Sequence, residues 1–179
     1  MRPPVYGSAD DDLTLWMSLL QANATLTGAV GERLRAASGL PLGWYEVLAH
    51  LSPAPDGRMR MQELAAAVLL SNSGLTRVCD RLEQAGYLVR QSCPTDRRGQ
   101  FAVITPEGRA RFDAAAPIFA SVVRGMFAGH LNATERATLR RALGKVIAGN
   151  GGALRRPASM TQAPSKPAKR ARAGTDSSG

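Results

Sequence analysis

Two adjacent arginines, Arg97 and Arg98, follow Asp96 in the segment C-P-T-D-R-R-G-Q at residues 93–100. Turn-forming residues surround them and apolar residues alternate nearby, so the pattern predicts a β-hairpin with these cations at its tip. Charge at a solvated tip adds little to folding stability. The chemistry that this arrangement suits is the binding of a polyanion. The alternative is an ordinary solvated turn, since runs of charge usually lie on the surface.

A second polar group stands at the start of a predicted helix whose apolar stripe is Leu75, Val78 and Leu82. The free N–H groups of a helix N-terminus favour phosphate, and short side chains allow close approach. Ser, Asn and Arg side chains can also reach base edges in a major groove. The predicted contacts are Ser71, Asn72, Ser73, Gly74, Thr76 and Arg77, with Arg77 the strongest candidate. Capping of the helix by one of the first three is expected as well and excludes no contact by the others.

The same helix continues through D-R-L-E at residues 80–83. Arg81 could contact a phosphate or pair with Asp80 or Glu83, and the sequence leaves both possibilities open. We expect Arg90 to serve as an internal salt-bridge partner instead.

Groups that support catalysis or metal binding are sparse. His50 and His130 are isolated, and neither a phosphate-binding G-x-x-x-x-G-K-[ST] loop nor an H-E-x-x-H motif occurs. We therefore predict no catalytic residue, no metal site and no cofactor. Two cysteines are too few for a disulfide framework. Cys79 is expected to pack in the interior, and Cys93 at the hairpin base is expected to be more exposed.

The net charge of +9 over 179 residues is unevenly distributed. Residues 150–179 hold six bases and one acid (6 − 1 = +5), whereas residues 1–149 hold seventeen and thirteen (17 − 13 = +4). The tail has too few large apolar residues to fold, so we predict a disordered basic tail at 150–179. Residues 1–9 are predicted to be a flexible N-terminus without a secretory signal, and the protein is expected in the cytoplasm.

Residues 10–149 are predicted to form one mainly α-helical domain. Apolar spacing predicts a long helix over 13–37 and a short helix around Trp44 to Leu51, with a turn-rich break at 52–57. A helix-turn-helix is expected at 61–86, ending at a Gly86 C-cap, and a two-stranded hairpin at 87–105. Thr105 should cap the next helix, in which Pro117 should introduce a kink, and Asn132 or Thr134 should cap the last. A helix-turn-helix followed by a hairpin is a winged helix.

An ordered set of residues in this region resembles the MarR family of bacterial transcription regulators. The recognition helix of that family ends in D-R-L-E-x-x-G followed by two hydrophobic residues and an x-R. A wing that contains D-x-R comes next, and the strand after it ends in the motif [L/I]-T-x-x-G. The matching residues here are Asp80, Arg81, Leu82, Glu83, Gly86, Leu88, Arg90, Asp96, Arg98, Ile104, Thr105 and Gly108.

The resemblance implies a homodimer in which the first helix and the last two form the interface. It also implies an operator of double-stranded DNA, a bacterial cytoplasmic location at the nucleoid, and control by a small-molecule effector. Arg97 and Arg98 would then reach the minor groove, with Arg98 favoured because it matches D-x-R, and Asp96 would orient a guanidinium. The effector is unknown. A pocket could form near Trp16, Trp44, Tyr45 and His50, although core packing is the stronger expectation for both tryptophans.

One alternative keeps the fold and changes the function. A winged helix can serve as a protein-interaction module, or as an antirepressor that binds no specific operator. Such a protein is expected to lose the wing arginines or to become acidic, and this chain keeps both arginines.

Overall fold

The computed structural model describes residues 11–68, 72–93 and 96–152, with the side chains of residues 72 and 96–98 excepted. The predicted N-terminus at 1–9 and, beyond residue 152, the predicted basic tail lie outside this range. In chain order the elements are α1 (Asp11–Ser38), α2 (Leu42–Leu51), β1 (Arg58–Arg60), α3 (Met61–Ala67), α4 (Asn72–Gln84), β2 (Leu88–Cys93), β3 (Asp96–Ile104), α5 (Pro106–Met126) and α6 (Ala133–Gly149).

The predicted winged helix is confirmed, but its sheet has three strands instead of two. β1 pairs antiparallel with β3, and β3 pairs antiparallel with β2, which gives the order β1-β3-β2. β1 was not predicted, because a segment of three residues directly before a helix is too short to show a period of two. The sequence still shows the alternation expected of a strand, because Met59 packs against the core whereas its neighbours Arg58 and Arg60 do not.

The second strand of the hairpin is longer than predicted. Residues 96–99 belong to β3, so the backbone of the two arginines lies within a strand, and residues 94 and 95 lie outside the described range. The register jumps between Ser92, which pairs with Gln100, and Cys93, which pairs with Asp96. The backbone of Arg97, Arg98 and Gly99 therefore occupies an irregular stretch between two paired positions, as at a β-bulge.

A single apolar core joins α2, the helix-turn-helix and the sheet to the C-terminal half of α1 and the first half of α5. Its completely buried members come from six different elements, and Tyr45 of α2 stacks on Phe119 of α5 with ring centroids 4.3 Å apart. The largest fully buried side chains are Leu34, Leu40, Leu48, Leu51, Leu64, Leu75, Leu82, Leu88, Val47 and Cys79.

A compact joint connects the end of α4 to the start of α5. Gly86 has φ +75°, its N–H donates to Glu83 O, and the Tyr87 N–H donates to Leu82 O, which together form a Schellman cap and confirm the predicted C-cap. The Thr105 hydroxyl donates to Gly86 O at 2.7 Å and accepts from the Gly108 N–H at 3.0 Å, so it also confirms the predicted N-cap.

The remaining helices follow the predicted capping. Asn132 caps α6 in a capping box with Glu135, so the asparagine and not Thr134 fills this position. α5 is assigned as one continuous helix through Pro117, and the predicted kink stays a prediction.

Two helical surfaces carry apolar side chains that nothing in this chain covers among the described residues. Residues 11–25 of α1 are all exposed, and α6 has no buried residue. Trp16 is 55% exposed, which corrects the expectation that it belongs to the core. The other large apolar side chains exposed on α1 are Leu13, Leu15, Met17, Leu19 and Leu20.

By length and composition, no single described helix qualifies as a membrane span. α5 continued to His130 qualifies only when it is taken together with α6, and the two are bent by 100° relative to each other.

The joint at Thr105 generates a stability prediction. A Cβ atom on Gly108 would overlap the carbonyl oxygen of Tyr87, which is backbone and cannot rotate away. Gly108→Ala is therefore expected to lower the free energy of unfolding by about 2–3 kcal/mol, because relief requires the helix to move away from the sheet. Thermal or urea unfolding followed by circular dichroism measures the change.

Gly125→Ala is the matched control, since Gly125 lies in the same helix and a Cβ there meets nothing within 4 Å. This change should leave stability equal or raise it by up to about 1 kcal/mol through the better helix propensity of alanine. Equal effects of the two substitutions would contradict the joint.

Candidate nucleic-acid interface

Helix α4 presents a polar face directly opposite its buried face. Leu75, Cys79 and Leu82 are at most 1% exposed and anchor the helix in the core. Ser73, Arg77 and Arg81 follow one another at intervals of four, so they lie one above the other on a single exposed face. A recognition helix uses an exposed polar face of this kind, and here the face carries Ser73 followed by two guanidinium groups.

The two arginines on this face have no partner within the described part of the chain. Neither Arg77 nor Arg81 forms a hydrogen bond or an ion pair with another described residue, although Asp80 and Glu83 are close in sequence. Of the two possibilities left open for Arg81, pairing with a neighbouring acid is therefore not observed. Both guanidinium groups remain available to an anion from outside.

Arg90 of β2 explains why the acids do not neutralise those arginines. Its Nη2 lies 2.6 Å from Asp80 Oδ1 and 3.2 Å from the carbonyl oxygen of Thr76, and its Nη1 lies 3.1 Å from Glu83 Oε2. The backbone N–H of Arg90 also donates to Glu83 Oε1 at 3.2 Å. The expected internal salt bridge is confirmed, and it ties one flank of α4 to the sheet that carries the hairpin.

The charge balance around Arg90 is favourable. Burial lowers the pKa of the guanidinium, but its hydrogen bond to Asp80 and the charges of Asp80 and Glu83 outweigh that cost and raise the pKa overall. The side chains of Arg90, Asp80 and Glu83 are 21%, 45% and 40% exposed, so solvent screens the attraction and the network contributes more to geometry than to stability.

The other predicted contacts are placed only in part. Ser71 lies outside the described residues, and Asn72 is the first residue of α4. Gly74 is half-buried and Thr76 is exposed on the flank that faces Arg90. Asp96, Arg97 and Arg98 are placed as backbone in β3, so the orienting role of Asp96 and the contacts of both arginines stay predictions.

One cationic group was not anticipated from the sequence. The guanidinium carbons of Arg58 and Arg60 lie 5.3 and 5.5 Å from the ring centroid of Phe101, on the outer face of the sheet. The register pairs Arg60 with Phe101 directly. The R-M-R alternation at residues 58–60 could have indicated this group. It places both arginines on one face only if these residues form a strand, which so short a segment does not predict.

Both cysteines are buried. Cys79 is 0% exposed, as expected, and its burial raises the thiol pKa to about 11, with Arg90 opposing the shift and Asp80 and Glu83 adding to it. Cys93 is 6% exposed, which is more than Cys79, as expected, although its thiol is also buried. The unpredicted strand β1 is the reason, because it brings Arg60 Nη2 to 3.5 Å from the Cys93 sulfur. Among the described residues, no three side chains of the metal-binding types come together.

The aromatic residues considered for a small-molecule pocket are mostly structural. Trp44 packs edge-on against Tyr87 at 6.2 Å, and Tyr45 is buried, which raises its pKa to about 12. An open cleft of about 560 Å³ does lie between α1 and α2. It is lined by other residues, namely Gly31, Glu32, Arg35, Ala36, Pro41 and Leu42.

Comparison with known proteins agrees with this geometry. Residues 38–99 match a family model described as MarR family. AbsC, a MarR family transcriptional regulator from Streptomyces coelicolor, is 32% identical, with a TM-score of 0.73 over 82% of this chain and 99% of its own. Sco3205 from the same organism, whose crystal structure is a complex with DNA, is also 32% identical, with a TM-score of 0.73 over 82% of this chain and 91% of its own.

A curated relative matches over a shorter region. YkoM, an uncharacterized HTH-type transcriptional regulator from Bacillus subtilis, is 34% identical over 73 residues, which are 41% of this chain and 47% of that protein. The match thus spans about half the length of this relative. All three proteins are described as transcriptional regulators and not as enzymes.

The burial of the thiols leads to a prediction about reactivity. With a pKa of about 11 in place of 9.0, Cys79 holds about one hundredth of the usual thiolate fraction at pH 8, and the thiolate is the reactive form. Labelling of the folded protein by a maleimide should therefore be at least about a hundredfold slower at Cys79 than in urea. The Cys79→Ser variant isolates Cys93, which should also be slow because it is buried. Rapid labelling of either thiol in the folded protein would contradict the packing described here.

Proposed function

Because the chain belongs to the MarR family of transcriptional regulators, we propose that it is a sequence-specific DNA-binding regulator. In this proposal it acts as a homodimer on double-stranded DNA and represses transcription until a small-molecule effector releases it. It works in the bacterial cytoplasm at the nucleoid and has no enzymatic activity.

One observation carries the proposal. Arg77 and Arg81 stand exposed on one face of α4 while both nearby acids are held by Arg90 on the flank. A surface arginine beside two acids would ordinarily pair with them, so this arrangement keeps two cations available on the helix that a helix-turn-helix places in the major groove. Arginine can then donate to guanine O6 and N7 or to phosphate oxygens.

The hairpin supplies the second contact in this proposal. β3 begins at Asp96, so the backbone of Arg97 and Arg98 lies at the start of this strand, beside its connection to β2. The guanidinium groups would enter the minor groove next to the recognition helix, where narrow A·T tracts concentrate negative potential. Asp96 would hold one guanidinium by a charge-assisted hydrogen bond.

The uncovered helices support a dimer. The N-terminal half of α1 exposes large apolar residues that include Leu15 at 70% and Trp16 at 55%, and Val146 of α6 is 58% exposed. Apolar patches of this extent mark association surfaces. A second copy would cover them and would place two recognition helices against half-sites about one helical turn apart.

The effector would bind where it can alter this geometry. The cleft between α1 and α2 combines apolar lining with the charged groups Glu32 and Arg35. Because α1 also carries the proposed dimer surface, a ligand in the cleft could change the spacing of the two recognition helices. The alternative of a protein-interaction module or antirepressor is not favoured, since nothing acidic replaces the cationic face of α4.

An anisotropy titration tests the proposal. The full chain is titrated onto labelled DNA from upstream of its own gene and onto a scrambled duplex, for wild type and Arg98→Ala. We expect a preference of well over tenfold for the upstream DNA, a stoichiometry of one dimer per duplex, and a loss of about tenfold in affinity with Arg98→Ala.

Arg140→Ala is the matched control, because Arg140 is an exposed arginine on α6, away from α4 and the hairpin. Its binding should equal that of wild type. Equal binding of both duplexes by wild type, with no effect of Arg98→Ala, would overturn the proposal and leave nonspecific contact by basic residues as the explanation.

A further inference from the structure

The end of α1 is held by a residue from another helix. Ser38 is the last residue of α1, and Nη2 of Arg111 in α5 donates to its carbonyl oxygen at 2.6 Å. This carbonyl is one of the last four of the helix, which have no hydrogen-bond partner within the helix itself. The guanidinium also lies at the negative end of the α1 dipole, where positive charge is favoured. Arg111 therefore ties α5 directly to the point where α1 ends.

The surroundings of this bond show that Arg111 is closely packed there. Gly39 has φ +72°, and a Cβ atom on it would lie 2.8 Å from Arg111 Nη2. Arg111 Nε is buried and forms no hydrogen bond with a described residue, which is a costly position for a donor. No described acid forms an ion pair with this guanidinium either. Among the described residues, the bond to the Ser38 carbonyl is the polar contact that accounts for the position of Arg111.

The part of α5 that carries Arg111 is itself fixed to the winged helix. The Thr105 hydroxyl donates to Gly86 O at 2.7 Å, at the end of α4. Arg109 Nη1 donates to the carbonyl oxygen and to Oγ of Ser52 at 2.7 and 3.0 Å, just after α2. Arg111 follows these contacts along α5 and extends the fixed segment to the end of α1.

α1 belongs to two parts of the molecule. Its C-terminal half packs in the core through Val30 and Leu34, whereas residues 11–25 are all exposed and carry the proposed dimer surface. A helix rises about 1.5 Å per residue, so a rotation of about 10° at Ser38 would displace Leu20 by about 5 Å. In a dimer, the angle between α1 and the winged helix therefore decides how far apart the two recognition helices lie.

Capping of α1 alone is the competing explanation. A cation at a helix C-terminus stabilises the helix whatever element supplies it, and this role requires no effect on the angle of α1. Local bonds already serve the last turn, however. The Gly39 N–H donates to Arg35 O at 2.7 Å, and Ser38 Oγ donates to Leu34 O at 2.7 Å. The bond from α5 adds a restraint between two helices, which a local cap does not provide.

We propose that Arg111 is a positioning residue that fixes the angle of α1 against the winged helix and thereby sets the separation of the two recognition helices in the dimer. This inference rests on the proposed function and names a residue outside the proposed DNA contacts. Loss of the Ser38 bond should broaden the distribution of that separation without dissociating the dimer. Affinity for the operator should then fall, because both half-sites must be met at a set spacing, whereas affinity for a scrambled duplex should not change.

Double electron–electron resonance measures the separation on the full chain in the absence of DNA. A nitroxide label is attached through Gln84→Cys, since Gln84 is exposed at the end of α4 and is not a proposed DNA contact. The natural thiols of Cys79 and Cys93 are buried, so the label is directed to the introduced cysteine.

The main variant is Arg111→Met, which keeps an unbranched side chain and removes its donors. We expect the distance distribution to broaden by about 5 Å or more relative to wild type. Anisotropy titrations of the unlabelled proteins should show the preference for operator over scrambled duplex reduced by about tenfold. Arg111→Gln, whose amide is too short to reach the carbonyl, takes the place of the methionine variant if that variant does not fold.

Two further variants separate positioning from general loss of stability. Arg109→Met makes the same change on the same helix and removes the two bonds to Ser52, while the Thr105 joint remains. It should lower the thermal midpoint but keep the distance distribution of wild type. Arg111→Lys keeps a cation that can donate to Ser38 O and should restore most of the operator preference. Circular dichroism and sedimentation verify that each variant is folded and dimeric.

Each result decides the matter. If folded and dimeric Arg111→Met keeps the distribution and the preference of wild type, the inference is overturned while the proposed function stands, and capping explains the residue. If Arg109→Met broadens the distribution equally, or if the lysine variant behaves like the methionine variant, the inference is also overturned. If wild type is a monomer, the proposed function and the inference fail together. If wild type is a dimer without operator preference, the proposed function fails and the distance distribution alone decides the inference.

Discussion

The hydrogen bonds and ion pairs of Arg90 set the orientation of α4 against the sheet, and the proposed site depends on them more than on any other interaction. One guanidinium and one backbone N–H on β2 engage Asp80, Glu83 and the Thr76 carbonyl on successive turns of α4. A cation placed there has two effects. It fixes the rotation of α4 relative to the sheet, and it occupies the two acids that would otherwise pair with Arg77 and Arg81. Exposure limits its contribution to stability to about 1 kcal/mol, so its main role is to set geometry and local charge.

The joint at Thr105 secures the C-terminal end of α4, next to the last turn that Arg90 holds. Its hydroxyl links the Gly86 carbonyl to the first turn of α5, and Gly108 allows the backbone of Tyr87 to come close. Glutamate would suit the third helical position after a threonine cap, but only glycine fits against that carbonyl. The residues that carry the family resemblance are thus mostly residues that hold α4 in place. Arg77 and Arg81, which are proposed to touch DNA, lie on the exposed face of α4 away from these fixed points, where side chains can vary without loss of the fold.

Most of this architecture could be predicted from the sequence, because long apolar periodicities and explicit caps define α1, α4, α5 and α6. Arg90 was predictable as an ion-pair partner since an acidic helix end precedes its strand. β1 was not predictable, because a strand of three residues forms only by pairing with β3, which lies far along the chain. Without β1, the burial of Cys93 and the placement of Arg58 and Arg60 over the Phe101 ring could not be predicted either. Trp16 was misjudged because a stripe that packs on a second copy has the same period as one that packs internally.

The operator preference of Arg90→Met tests most directly whether the orientation of α4 depends on this network. The ratio of affinities for operator and scrambled duplex is measured beside the thermal unfolding midpoint, with Arg90→Lys as the variant that keeps the charge. We predict a folded protein with a small loss of stability and a preference reduced by about tenfold or more, because α4 is no longer oriented and Asp80 and Glu83 become free to pair with Arg77 and Arg81. An unchanged preference in folded Arg90→Met would contradict the role assigned to the network.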